Sequence, residues 1–113
     1  MPNTRPGPRN DQFRGTLEML VLKSLEAAPL HGYAIALHLE RRSSDVLTLE
    51  EGSLYPALYR MERYGWLTSE WALTDTGRRA RFYRLTRTGR AQLALETAKW
   101  QQLTLAVRGV MGG

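Results

Sequence analysis

The sequence has no cysteine, which excludes a disulfide framework and a thiolate metal site. It has only two histidines, His31 and His38. They lie seven residues apart on one expected helix, with no serine and aspartate or paired carboxylates converging on them at a workable spacing. No further metal ligands accompany them. The chain therefore reads as neither an enzyme nor a metalloprotein, and nothing in it calls for a cofactor. Long apolar runs are missing too. The longest, Leu17 to Leu25, is interrupted by Glu18, Lys23 and Ser24 and falls short of the roughly 18 residues that span a bilayer. Residues 1–12 open on a Pro-, Arg- and Asn-rich stretch with no apolar h-region, so they read as a flexible tail rather than a signal peptide. A soluble protein in the reducing cytoplasm is the expectation, with no membrane partner.

Acid is absent from one stretch in particular. From Arg78 to Arg90 there are six arginines, at 78, 79, 81, 84, 87 and 90, and no Asp or Glu. A segment of one sign repels itself and is usually set against an opposite field. The net charge of +5 points the same way, toward a polyanion. With 113 residues there is room for one domain, and a chain this short buries a small share of its surface. A homodimer would supply more.

The elements follow from periodicity and punctuation. Thr16 to Ala27 reads as a helix capped by Thr16 and stopped before Pro29. Leu17, Leu20, Val21 and Leu25 line one face, and Met19 and Leu22 a second, which is expected to meet another subunit. His31 to Arg42 reads as a second helix, with His31 capping it or packing near its start, and the polar 43–52 stretch as the connection. Ser53 to Tyr64 reads as a third helix with Ser53 as N-cap, which would put Pro56 in the first turn, and with Gly65 just past the end. Trp66–Trp71 and Ala80–Thr86 read as a hairpin around a polar, Gly-containing tip. Thr88 to about Val110 reads as a long last helix. On it Leu93, Trp100 and Val107 recur every seven residues, and Leu103 and Val110 fill the offset positions of a dimer seam, weakened at Glu96.

Three helices, a basic hairpin and a long helix describe a mainly α fold with a small β hairpin: a winged helix-turn-helix over 13–87 plus a C-terminal dimerisation helix over 88–113. In that arrangement the third helix enters the major groove and the hairpin follows the backbone. Ser53, Tyr55, Tyr59, Arg60 and Arg63 are the candidate contacts from the helix, and Arg78, Arg79 and Arg81 those from the wing. Tyr55 reads equally as a half-buried core tyrosine. Arg60 and Arg63 read equally as a solvated face pairing with Glu62 or Glu70, and Arg84 as decoration of an outer strand face. Met19, Leu22, Leu93, Trp100, Leu103 and Val107 are the candidate dimer contacts.

Several stretches resemble the PadR family of bacterial transcriptional regulators. They are Arg14-Gly15-Thr16-Leu17-Glu18, Leu30-His31-Gly32-Tyr33, Gly52-Ser53-Leu54-Tyr55-Pro56-Ala57-Leu58, Leu67 with Trp71, and Arg81-Phe82-Tyr83-Arg84-Leu85-Thr86-Arg87-Thr88-Gly89-Arg90. The resemblance implies a homodimer that represses transcription from an inverted-repeat operator in double-stranded DNA and is released by an effector. The single long C-terminal helix is similar to the short subfamily, some members of which bind flat aromatic drugs between paired tryptophans. Trp100 matches that tryptophan in placement, as either a dimer-core aromatic or a platform for a small aromatic effector. The other open reading is a winged helix used for protein contact, against which the acid-free run of six arginines weighs.

Overall fold

The computed structural model describes the backbone of residues 7–48 and 51–112, and the side chains of 15–48 and 53–112. Its elements run α1 (Gly7–Ser24), β1 (Leu30–His31), α2 (Gly32–Arg42), α3 (Glu51–Arg63), β2 (Leu67–Leu73), β3 (Arg79–Leu85) and α4 (Arg87–Met111). The three strands form an antiparallel sheet in the order β1-β3-β2.

One apolar cluster holds the helices to the sheet. Leu17, Val21 and Leu22 of α1, with Leu25 just past its end, meet Ile35 and Leu39 of α2, Leu54, Ala57, Leu58 and Met61 of α3, Leu67, Tyr83 and Leu85 of the sheet, and Leu93 of α4. The i, i+3, i+4 spacing that suggested amphipathic helices is the spacing that fills this core. Two expected dimer contacts are in it. Leu22 has no exposed surface and Leu93 only 6%, so neither is available to a partner. Met19 is half-buried and packs on the same cluster. The crowding is simple: α1 has α2, α3 and α4 around it within one chain, which takes up Leu22 and leaves Met19 with part of its surface open.

Boundaries moved at the termini of helices. α1 begins at Gly7, so Thr16 lies inside it rather than capping it, and the expected tail is helical from Gly7 onward. Pro8 is placed where the first turn has no amide bond to lose. Residues 1–6 lie outside the described residues. α3 begins at Glu51, which makes Ser53 an early helical residue instead of the N-cap. Pro56 is carried inside the helix, where its ring nitrogen cannot donate to the carbonyl four residues back.

His31 does cap α2: its Nδ1 accepts a hydrogen bond from the Ala34 amide at 3.3 Å. Its backbone also belongs to β1, where Leu30 and His31 pair with Tyr83 and Phe82. This two-residue strand was not expected, because two residues carry no periodicity. At the far end of the sheet Thr86 joins three elements. Its Oγ1 accepts from the Gly89 amide at 2.9 Å and caps α4, and it donates to the Gly65 carbonyl at 2.7 Å. Gly65, at φ 83°, ends α3 in the left-handed conformation that glycine adopts without penalty.

Candidate nucleic-acid interface

The hairpin register decides where the arginines point. β2 and β3 pair Leu67 with Leu85, Ser69 with Tyr83, Trp71 with Arg81 and Leu73 with Arg79. Directly opposed residues share a sheet face, and alternate residues along a strand share it too. One face therefore runs from the core outward as Leu67 and Leu85, then Ser69 and Tyr83, then Trp71 and Arg81, then Leu73 and Arg79. Arg84 falls on the other face, where its Nη2 lies 4.0 Å from Glu70. The six arginines are thus not one patch. Arg79 and Arg81 turn toward α3, Arg84 turns away, and Arg87 and Arg90 belong to the start of α4.

Between the wing and the helices lies an open cleft of about 730 Å³, lined by Tyr33, Tyr55, Trp71, Arg78, Arg79 and Arg81 among others. It continues along α3 into a second concavity lined by Tyr55, Tyr59, Arg63 and Arg81. Tyr55 and Tyr59 are 45% and 63% exposed. Arg63 lies 5.8 Å from the centre of the Tyr59 ring, a cation–π contact that leaves the guanidinium edges free. The tip is shaped by Gly77 at φ 82° and by the Thr74 amide bonding the Arg78 carbonyl at 2.8 Å.

Tyr55 is packed on one side and open on the other, 45% exposed. Its ring lies over Gly32, where a methyl group would meet Cε1 at 2.6 Å and the hydroxyl oxygen at 2.8 Å. The absence of a side chain at Gly32 lets α2 and α3 approach and pins the tyrosine, while nearly half of its surface stays open to the cleft. A half-buried polar network sets the wing against α3. Ser69 Oγ donates to Glu62 Oε2 at 2.8 Å, and Arg81 Nη2 lies 3.7 Å from the same oxygen.

Of the sequence-predicted contacts, the structure brings together Tyr55, Tyr59, Arg63, Arg78, Arg79 and Arg81 around these concavities. Ser53 is half-buried at the start of α3 and lines neither. Arg60 turns inward: its Nε lies 3.5 Å from Oε2 of Glu18 on α1, with side chains only 25% and 10% exposed. It ties α1 to α3 and points away from the cleft, because the buried carboxylate needs a cation nearby. Tyr33 and Trp71, 69% and 55% exposed, were not singled out as contacts. The signal for Trp71 was its register opposite Arg81, which follows from counting back across the turn from the alternation in Arg79-Ala80-Arg81.

Along α4 the first turns face the core through Leu93, and the rest is open. Trp100 is 46% exposed, Leu103 48%, Val107 50% and Val110 87%. Among the described residues, no helix is long and apolar enough to cross a membrane.

The family model of the "Transcriptional regulator PadR-like family" matches residues 21–95. The chain belongs to the PadR-like family. Transcriptional regulator Rv3488 of Mycobacterium tuberculosis is 34% identical over 100 residues, covering 88% of this chain and 87% of that protein. A PadR family transcriptional regulator from Eggerthella lenta superposes with a TM-score of 0.74 at 33% identity, over 91% of this chain and 88% of that one. A transcriptional regulator from Clostridium thermocellum reaches a TM-score of 0.79 at 23% identity, over 88% and 96% of the two chains, and extends the likeness of fold. This PadR-like protein is thus a transcriptional regulator, of a family of regulators rather than enzymes. The motifs that carried the resemblance now have physical reasons. Gly32 makes room for Tyr55, and Leu54, Ala57 and Leu58, its neighbours in the motif, are core residues. Gly89 sits against the Trp66 carbonyl oxygen, beside the Thr86 cap.

Proposed function

We propose that this regulator is a homodimeric repressor that binds an inverted-repeat operator in double-stranded DNA. The observation that carries the reading is the convergence of Tyr55, Tyr59 and Arg63 of α3 with Arg78, Arg79 and Arg81 of the wing on one continuous concave surface. Its arginines and tyrosines suit a duplex whose major groove takes α3 and whose phosphates meet the wing. The exposed strip Trp100, Leu103, Val107 and Val110 on α4 supports the dimer: four large apolar side chains on one helix face favour burial. In this reading residues 13–87 form the DNA-binding unit and 88–113 the dimerisation helix, within a cytoplasmic protein.

Wing contacts to phosphate supply most of the affinity, and α3 reads the groove. An effector releases the operator by favouring a dimer geometry that spaces the two recognition helices wrongly, which it does only by binding that geometry better. The exposed face of Trp100 favours a flat aromatic molecule as that effector. Fluorescence anisotropy against DNA from upstream of the protein's own gene and against scrambled DNA, across a salt series, tests the central reading. Tight binding to the upstream fragment that weakens steeply with salt is expected. Equal affinity for both, or none, would favour a winged helix that serves a protein partner.

A further inference from the structure

Trp71 is hard to account for by folding. It is 55% exposed and lies outside the apolar cluster that holds the domain together. A large aromatic stands on a wing strand with more than half of its surface open. What it does touch is specific. The Arg79 guanidinium carbon lies 5.2 Å from the centre of its ring, and that of Arg81 lies 5.7 Å away. Both arginines come from the opposing strand, Arg81 directly across from Trp71 and Arg79 two residues toward the tip. Arg81 is held further by Glu62 at 3.7 Å. Arg79 has the tryptophan.

We propose that Trp71 is a positioning residue: its ring holds Arg79 and Arg81 extended over the cleft, ready for the DNA backbone, without itself reading DNA. This rests on the DNA-binding reading above. A free arginine loses rotamer entropy when it is immobilised at an interface. Stacking on an indole uses the flat face of the guanidinium and leaves its N–H edge for phosphate. The arginines therefore meet DNA already arranged, and the stack survives binding.

The test uses the full-length protein and its variants. In the DNA-free wild type, the side-chain methylene protons of Arg79 and Arg81 should show upfield ring-current shifts by NMR. Those shifts should vanish in Trp71→Leu and persist in Trp71→Phe. Trp71→Leu should lower the thermal midpoint only modestly, through the two lost contacts, and weaken binding to specific and scrambled DNA alike by about 5- to 30-fold, the cost of ordering two freed arginine side chains at the interface. In an Arg79→Ala/Arg81→Ala background the same change should cost less than about 2-fold, because the groups it acts through are gone. A full additional loss in that background would mean that Trp71 contacts DNA directly and would overturn the inference. Unshifted arginine protons in the wild type would overturn it as well. Absence of DNA binding by the wild type would sink the DNA reading and this inference with it, whereas equal binding by wild type and Trp71→Leu would sink the inference alone.

Discussion

Gly89 shows how a single residue can carry a family signature for a packing reason. A methyl group there would press on the Trp66 carbonyl oxygen and come within 3.3 Å of a Leu85 methyl. Backbone cannot swing aside as a flexible side chain can, so Gly89→Ala should cost about 1–3 kcal/mol, read as a lowered thermal midpoint. An unchanged midpoint would show that α4 can tilt away from the sheet. Tyr83 offers a test through pH. Burial pushes its phenol above the usual value of 10.0, so the folded state keeps a proton that the unfolded chain releases. Its contribution to stability is whole below the unfolded value and is lost as pH rises through the folded one. Between about pH 9 and about pH 11 urea denaturation should show a smaller loss of stability for Tyr83→Phe than for the wild type. Equal losses would contradict the burial argument. At this scale the sequence was partly legible. His31 was readable as a cap from its place before a helix, whereas the inward turn of Arg60 depended on Glu18, 42 residues away in the chain.

At the scale of elements, period and punctuation marked the helices well, because one core takes up their apolar stripes. The ends were less legible: Thr16 and Ser53 have the chemistry of N-caps, yet the helices run past them. A local capping preference is worth about 1 kcal/mol, easily outweighed by continued packing and hydrogen bonding. The wing was legible as a hairpin and Arg84 as a residue of its outer face, by alternation along the strand, but the pairing of Trp71 with Arg81 needed the register. The division of the arginines between two faces makes a prediction. Arg78→Ala with Arg79→Ala should weaken binding to all DNA sequences and reduce the log–log salt slope by about one for each phosphate left without its arginine. Arg84→Ala, which removes only the exposed partner of Glu70, should leave both quantities nearly unchanged. A reversed ranking would mean that the outer face of the sheet meets the DNA.

For the whole molecule, the issue is what the distal half of α4 packs against. The heptad reading placed the seam from Leu93 to Val110, but Leu93 belongs to the core of its own chain, so the exposed strip begins near Trp100. The sequence could not separate the two, since the same apolar period serves an internal and an external partner equally. Leu103→Glu puts a charge in the middle of the strip and should give monomers by light scattering while the fold, whose core excludes Leu103, persists. A folded variant that stays dimeric would move the interface elsewhere. The most direct measurement is a hydroxyl-radical footprint on the upstream fragment. A dimer with two α3 helices in successive major grooves predicts two protected patches on one side of the duplex, their centres about one turn or roughly 34 Å apart. A single patch, or protection spread evenly along the fragment, would contradict it.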